Sequence, residues 1–298
     1  MENLEVNHMK KKNIFPFIKW VGGKSKYIKE IEEYIPSLID RYYEPFIGGG
    51  ALFLHLQPKK AYISDINIEL INCYQVIRAD AGELMKELDI LIDPNTSKNQ
   101  NLNVENFYYH LRNSFNYLKK ENAFSYDDVQ EPSKKEICIQ KASLFIYLNK
   151  TCFRGLYREN KSGEMNVPYG HYKTPAVYEK DNLLQISEYL LENDITISHH
   201  SFDKINPTSN DFVYMDPPYD KESSTDFTSY TKHGFDQEKL FIFVQKLICP
   251  FVLSNSPTQF VKNKYSKYGQ KIMSGKRSVD IKKIKTVKEI EIIIYKTN

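Results

Sequence analysis

The chain has 298 residues, of which 41% are hydrophobic and 27% are charged, and its formal net charge is only +3. These values are typical of a soluble globular enzyme. No apolar run approaches the roughly 18 residues that a membrane span needs, which excludes a membrane protein. Residues 1–12 lack the apolar core of a secretion signal, so we expect a cytoplasmic location.

The first zone of the chain alternates between strand and helix patterns around a glycine-rich turn. Short strands are predicted at residues 41–44 and 61–64, and helices at residues 51–56 and 66–79. A strand, a glycine turn, a helix and a second strand make a βαβ unit, which predicts a parallel sheet.

The middle zone, residues 80–188, shows no such alternation. Helices are predicted at residues 106–120 and 135–149, and a segment rich in glycine, proline and polar residues follows at 151–175. Loops are predicted at residues 93–96 and 125–128. We therefore interpret this zone as an inserted subdomain.

In the third zone the strand patterns return. Strands are predicted at residues 195–198, 212–215, 251–253 and 290–295, with an amphipathic helix at 236–247. The simplest architecture is a sheet domain made of residues 13–79 and 189–298, interrupted by an insert of residues 80–188.

The cysteines and histidines show no metal-binding pattern. Four cysteines lie far apart along the chain, which favours reduced thiols over disulfides or zinc. His199 and His200 are adjacent, but neighbours on a strand point to opposite faces. The sequence therefore predicts no metal site.

The most informative motif is the tetrad Asp216-Pro217-Pro218-Tyr219, which directly follows an apolar strand. Open α/β sheets bind ligands at the carboxyl ends of their strands. A carboxylate and the Pro217 carbonyl can accept the two hydrogens of an aromatic amine, and two prolines stiffen that backbone. Tyr219 offers a ring on which a flat base can stack. The alternative is a rigid turn without a catalytic role.

A second motif, Glu44-Pro45-Phe46-Ile47-Gly48-Gly49-Gly50, ends the first predicted strand. Glycines let the backbone approach a ligand at a helix start, although the spacing is not that of dinucleotide enzymes. Asp65 ends the next strand, where an acid can bind the ribose hydroxyls of an adenosine cofactor. The alternatives are a plain loop for the glycines and a helix cap for Asp65.

A third motif runs from Pro16 to Lys24 and contains Trp20, the chain's single tryptophan. Its Gly22-Gly23-Lys24-Ser25 ending is similar to that of a phosphate-binding P-loop. However, Ile18 stands where that loop requires its first glycine, so hydrolysis of nucleoside triphosphates is rejected.

Together these motifs resemble the DNA adenine methyltransferase (Dam) family, the D12 class of N6-adenine-specific DNA methyltransferases. The resemblance spans residues 16–295 and includes a target-recognition segment at residues 147–158, continued through Asn160, Gly163 and residues 166–170. Arg154 departs from the family pattern, which usually has asparagine there, and Tyr295-Lys296 differs from the usual end of the last strand.

The resemblance implies a Rossmann-like α/β methyltransferase sheet with helices on both faces, plus a mainly helical target-recognition insert carrying a β-hairpin. It implies methyl transfer from S-adenosylmethionine to N6 of a flipped-out adenine in double-stranded DNA. The implied catalytic residues are Asp216, Pro217, Pro218 and Tyr219. The implied cofactor-binding residues are Trp20, Lys24, Glu44, Pro45, Phe46, Gly48, Gly49, Asp65, Phe202 and Asp216. The implied DNA-binding residues are Lys150, Arg154, Tyr157, Arg158, Asn160, Lys161 and Pro168.

Residues 157–168 place polar side chains on either side of a Ser162-Gly163 turn, which predicts a hairpin of the size that enters a major groove. Arginine suits guanine and asparagine suits adenine there, while the alternative is a purely structural hairpin. By family habit GATC is the first candidate target, and a companion restriction endonuclease is a further candidate partner. Oligomeric state is not predicted.

The stretch from Lys262 to Lys288 contains ten basic residues and one acid, Asp280. It is either a phosphate-binding edge or a solvated face. The rival functions are an RNA or N4-cytosine methyltransferase with the same pocket, and a DNA-binding module without catalysis. Asp216 favours adenine over cytosine by family habit, and the intact tetrad favours an enzyme.

Overall fold

The computed structural model describes residues 12–93, 95–96, 102–220, 235–275 and 288–297, and seven β-strands lie within them. The strands are β1 Tyr42–Glu44, β2 Lys60–Asp65, β3 Asp194–His199, β4 Phe212–Met215, β5 Phe251–Asn255, β6 Gly269–Gly275 and β7 Lys288–Lys296. They form one mixed sheet in the order β3-β2-β1-β4-β5-β7-β6. This sheet, with helices on both sides, confirms the predicted Rossmann-like fold class.

The described residues also form eight α-helices. These are α1 Ile28–Glu32, α2 Ala51–Leu56, α3 Ile68–Ile92, α4 Val104–Glu121, α5 Pro132–Thr151, α6 Lys180–Glu192, α7 Gln237–Lys246 and α8 Gln259–Lys264. Short 3-10 turns lie at Tyr126–Asp128, Phe153–Gly155 and Phe202–Lys204.

One compact unit contains Tyr27–Phe46 and the described chain from Phe202 onward. In it β1, β4 and β5 pair in parallel, and β7 pairs antiparallel with both β5 and β6. Every residue of β4 and β5 is buried, and β4 and the first three residues of β5 are apolar, as is usual for internal parallel strands. Because these strands are parallel, their carboxyl ends lie at one edge of the sheet.

The second compact unit contains residues 12–26 and Ile47–Ser201, with β2 and β3 paired in parallel. Its helices α3 and α5 are joined by a buried ion pair in which Lys141 Nζ lies 3.2 Å from Glu69 Oε1. Lys141 also donates to the carbonyls of Asn122 and Phe124, both at 2.8 Å. Three partners therefore compensate the lysine for its removal from water.

Helix α3 runs past the predicted domain boundary at residues 79 and 80. Its backbone leaves the helical conformation at Asp80, with φ −139° and ψ 42°. The compact units divide the chain differently from the predicted domains, since β2 and β3 group with residues 80–188. Both sides of Asp80 belong to the same compact unit, and the predicted domain bounds remain a proposal.

Most predicted elements form close to their expected positions, and three helices and one strand were missed. The helix predicted at residues 66–79 continues to Ile92, while α1, α6, α8 and β6 had not been predicted. The loop predicted at residues 125–128 is a 3-10 turn with a capping box, in which Asp128 accepts from Ser125 at 2.7 Å.

Two further observations concern membrane-spanning helices and the cysteines. Within the described ranges no helix has the length and apolarity that a membrane span requires. All four cysteines are free and buried. Burial raises the pKa of Cys138 and of Cys249 to about 11, and that of Cys152 to about 12.

Candidate functional site

The tetrad lies at the carboxyl end of β4, between the parallel neighbours β1 and β5. Pro217 is buried, whereas Asp216, Pro218 and Tyr219 are half-buried. Burial, followed by the negative charge of Asp216, raises the pKa of Tyr219 well above its ordinary value. The tyrosine ring is therefore neutral at physiological pH and suited to stacking.

Two side chains that the sequence did not single out hold the backbone of this tetrad. Gln237, at the start of α7, donates from Nε2 to the Pro218 carbonyl at 2.9 Å. Asn255, at the end of β5, accepts the Asp220 amide at 2.9 Å. The polar run Ser254-Asn255-Ser256, which directly follows the apolar residues of the predicted strand 251–253, was the sequence signal that could have revealed this cluster.

Glu44 and Pro45 end β1 in the same compact unit. Glu44 is buried, and its Oε2 accepts the hydroxyl of Tyr42 at 2.5 Å. Since β1 is parallel to β4, with Tyr43 opposite Val213, Glu44 ends its strand at the same sheet edge as the tetrad. This placement agrees with the predicted role in binding a ligand, which stays a prediction.

Phe46 and Phe202 belong to an aromatic cluster with Phe235. Their ring centroids are 5.2 Å apart at an interplanar angle of 27°. Inserting a flat base between two rings requires a separation of about 7 Å, which is two carbon contact distances. Phe202 is buried and also contacts Phe243, which is the environment of a phenylalanine in the hydrophobic core. Phe46 is half-buried.

Gly48 of the glycine-rich loop and Trp20 both belong to the second compact unit, where they pack closely together. Gly48 has φ +46°, and a Cβ there would lie 2.6 Å from Trp20 Cδ1. Its carbonyl accepts the hydroxyl of Tyr74 at 3.1 Å. The left-handed backbone conformation and the close packing against Trp20 therefore require glycine at position 48. From the sequence, this glycine was expected to allow the approach of a ligand.

Asp65 ends β2 and binds the glycine loop through its carboxylate. Oδ2 accepts the amide of Gly48 at 3.2 Å, and Oδ1 accepts that of Asn67 at 3.0 Å. Removal from water raises the pKa of Asp65, and the amide hydrogen bonds oppose this shift. The cap of α3 is Asn67, whose side chain accepts from Glu69 and Leu70. The cap role considered for Asp65 is thus taken by its neighbour.

The N-terminal motif forms a turn in which the Gly23 amide donates to the Trp20 carbonyl at 3.3 Å. The ring of Trp20 stacks on that of Tyr157 at a centroid distance of 6.1 Å. Lys24 is buried, and its ammonium donates to the Gly22 carbonyl at 2.7 Å. Asn149, another residue not predicted, bonds both the amide and the carbonyl of Lys19 at 2.8 Å.

The predicted hairpin is present. Glu159 and Met165 form an antiparallel bridge, and the turn between them is closed by a bond from Gly163 to Asn160. The Asn160 side chain accepts the amides of Ser162 and Glu164 at 2.9 and 3.0 Å. Its amide group is therefore engaged in the turn, which supports a structural role in place of base contact.

The other predicted DNA-binding residues differ in exposure. Arg158, with Nε bonded to Asn166 at 2.8 Å, is exposed, as are Arg154, Lys161 and Pro168. Lys150 is half-buried, and burial lowers its pKa. Tyr157 is 7% exposed, and its predicted contact with DNA stays a prediction.

The basic stretch is described only in part, because residues 276–287 lie outside the described ranges. Lys264 and Lys271 form ion pairs of 2.8 Å with Glu238 and Glu33. Lys282, Lys283 and Lys285, which belong to this stretch, fall outside the described residues. The choice between a phosphate-binding edge and a solvated face therefore stays a prediction.

Comparison with known proteins identifies the family. The model of the D12 class of N6 adenine-specific DNA methyltransferases matches residues 20–281. The type II methyltransferase M.MjaIII of Methanocaldococcus jannaschii is 38% identical over 90% of this chain and 93% of its own. The type II methyltransferase M1.LlaDCHI of Lactococcus lactis subsp. cremoris is 36% identical over 95% of both chains.

A further relative has a name that states its reaction. The DNA adenine methylase of Serratia marcescens is 30% identical over 88% of this chain and 91% of its own. The match to the family model covers most of the sequence and includes the tetrad, the glycine loop and the recognition segment. The chain therefore belongs to the D12 class of N6 adenine-specific DNA methyltransferases, and it is a site-specific adenine DNA methyltransferase.

Proposed function

We propose that the chain transfers the methyl group of S-adenosylmethionine to N6 of an adenine flipped out of duplex DNA, and that Asp216 and the Pro217 carbonyl hold the amine. The observation that carries this assignment is the position of the tetrad. The tetrad directly follows the fully buried strand β4, at the edge where the parallel strands β1, β4 and β5 end. Asn255 and Gln237 hold its backbone through hydrogen bonds.

The residues of the tetrad suit an amine as methyl acceptor. A base inside a duplex is out of reach, and extruding it costs about a few kcal/mol. Asp216 accepts one amine hydrogen and the Pro217 carbonyl accepts the other, which localises the nitrogen lone pair. The neutral phenol ring of Tyr219 stacks on the extruded ring. This arrangement positions the acceptor, and good alignment is worth about 7–11 kcal/mol in intramolecular reactions.

The carboxylate of Asp65 fits the ribose of the cofactor. An ionised carboxylate has about four acceptor positions, and the backbone amides of Gly48, Asn67 and Ile66 bond to it. We propose that the ribose hydroxyls bind at the part of the carboxylate that these amides leave open. S-adenosylmethionine supplies an activated methyl group, so the protein's residues bind and orient the reactants.

The aromatic cluster suggests which ring supports the cofactor adenine. Phe202 is enclosed by Phe46, Phe235 and Phe243, whereas Phe46 is half-buried. We infer that Phe46 provides the stacking face and that Phe202 stabilises Phe46 from behind. Trp20 and Lys24 remain the proposed contacts to the methionine end, together with the backbone of Gly49.

We propose that the exposed residues of the hairpin, Arg158 and Lys161, contact the DNA target. Arg158 and Lys161 are exposed, and an arginine can bond guanine O6 and N7 in the major groove. GATC remains the first candidate site. The names of M.MjaIII and M1.LlaDCHI, both type II methyltransferases, support a companion restriction endonuclease.

The test is methylation of a duplex library with randomised positions, followed by sequencing that reads N6-methyladenine. Enrichment of one short site with the modified adenine at a fixed position supports the proposal, and GATC is the expected site. Methylation without sequence preference, or of single-stranded RNA in preference to duplex DNA, would contradict it.

A further inference from the structure

The side chain of Asn255 is fully buried at the end of β5, directly beside the loop that carries the tetrad. Met215 is paired with Leu253, so Asn255 lies level with the position two residues beyond β4, where Pro217 stands. Its Oδ1 accepts the amides of Asp220 and Ser256 at 2.9 and 2.8 Å.

The hydrogen bonds continue from Asn255 through one more side chain to the tetrad. Asn255 Nδ2 donates to Gln237 Oε1 at 3.1 Å, and Gln237 Nε2 donates to the Pro218 carbonyl at 2.9 Å. The partners fix the orientation of both side-chain amide groups. Asn255 must present its oxygen to the backbone N–H groups of Asp220 and Ser256, and Gln237 must present its nitrogen to the Pro218 carbonyl.

The tetrad needs such support because its own backbone cannot provide it. Pro217 and Pro218 have no N–H group, so neither can continue the hydrogen-bond ladder of the sheet. The Pro218 carbonyl and the Asp220 amide are held by this network on either side of Tyr219. The carboxylate of Asp220 is held as well, by the hydroxyl of Thr258 at 2.6 Å.

We propose that Asn255 and Gln237 are positioning residues for methyl transfer, which hold the Pro218 carbonyl and the Asp220 amide so that the tetrad keeps the geometry required for the acceptor amine. This inference rests on the proposed function of the tetrad. Neither residue touches the reacting atoms in this account, and a misplacement of about 1 Å at a reacting group can cost roughly 100-fold in rate.

The test uses Gln237→Leu, because Gln237 is half-buried at the first position of α7 and the helix keeps its Asp236 cap. The matched control is Gln259→Leu, at the first position of α8, where the side chain bonds Asn263 of its own helix at 2.7 Å. We expect the single-turnover rate of methyl transfer to fall about 10- to 100-fold in Gln237→Leu and to stay unchanged in the control.

If Gln237 had a structural role only, its replacement would lower the thermal midpoint or weaken binding. For a positioning role we expect Gln237→Leu to match the control in its dissociation constants for S-adenosylmethionine and DNA and in its thermal midpoint. An unchanged transfer rate in Gln237→Leu, or a loss matched by equally weakened binding, would overturn the proposal. If the wild-type protein itself transfers no methyl group, the proposed function fails before this comparison is reached.

A second variant, Gln237→Glu, tests the hydrogen bond itself. When protonated, the introduced carboxyl can donate to the Pro218 carbonyl and accept from Asn255, but when ionised it offers only acceptors. The transfer rate relative to wild type should therefore rise as the pH falls through the pKa of that carboxyl. If the ratio of the Gln237→Glu rate to the wild-type rate did not change with pH, the proposed hydrogen-bond network would be contradicted.

Discussion

The backbone amide of Gly48 donates a hydrogen bond of 3.2 Å to the carboxylate of Asp65, which lies 17 positions further along the chain. This bond fastens the glycine-rich loop to the end of β2. The same carboxylate is the proposed acceptor for the cofactor ribose, so one side chain serves both the loop and the ligand.

Asp65→Ala removes an ionised acceptor of two hydroxyl hydrogens. The loss of one charged hydrogen bond costs about 1.5–3 kcal/mol, so we expect S-adenosylmethionine to bind roughly 10- to 150-fold more weakly. Titration calorimetry on the folded variant measures this, with circular dichroism as the check of folding. Unchanged affinity would refute the assignment of the ribose to Asp65.

The raised pKa of Asp65 gives two pH dependences of opposite sign. Cofactor affinity should increase as the pH rises through that pKa, which lies above the ordinary 3.8, because the ionised form is the acceptor. In the free protein, stability from the protonated group is present below 3.8 and is lost as the pH rises through the folded-state pKa. The free energy of unfolding of wild type, measured relative to that of Asp65→Asn, should therefore fall as the pH rises across this range and then level off.

Arg158 gives a prediction about specificity. It is exposed on the hairpin, and its Nε–H already bonds Asn166, which leaves the terminal nitrogens for a base edge. Arg158→Ala should cost about 1–3 kcal/mol in discrimination and relax the preference at one position of the site. The randomised library measures this, with Lys161→Ala as the neighbouring comparison. An identical preference in wild type and Arg158→Ala would place specificity elsewhere in the insert.

The sequence predicted the sheet and the tetrad because their signals are local. Unbroken apolar strands such as 212–215 mark internal positions, and the prolines after them mark a fixed turn. The supporting contacts were not predictable, since Asn255 and Gln237 meet the tetrad only after folding. The stacking of Tyr157 on Trp20 was not predictable either, because the two residues lie far apart in the sequence. The assignment of Tyr157 to DNA, made from its place in a motif, stays a prediction. Asn160 suited adenine by chemistry, but the tight turn uses its side chain.

The departure of this chain from the family pattern at Arg154 has a conformational consequence. Arg154 has φ 59° and ψ 13°, the left-handed region that asparagine adopts more readily than arginine. This geometry gives a physical reason for the asparagine that the family usually has there. Arg154→Asn should therefore stabilise the protein by about 0.5–1 kcal/mol. Urea denaturation of the two proteins tests this, and a destabilised variant would show that the arginine side chain contributes more than its backbone costs.

The four buried thiols predict low chemical reactivity. The thiolate is the reactive form, and burial raises the pKa of Cys138 to about 11 and that of Cys152 to about 12. Native protein should react slowly with a disulfide reagent at neutral pH, whereas unfolded protein should release all four equivalents at once. Rapid labelling of the native form would contradict this burial.

The most direct measurement follows a labelled methyl group from S-adenosylmethionine into duplex DNA, with digestion of the product to nucleosides. Wild type should yield N6-methyladenosine as the deoxynucleoside, and Asp216→Ala should yield none while keeping its fold. Tyr219→Phe should retain partial activity and Tyr219→Ala little, because stacking requires only an aromatic ring. Label in N4-methylcytosine, label in RNA alone, or near wild-type turnover by Asp216→Ala would contradict the account.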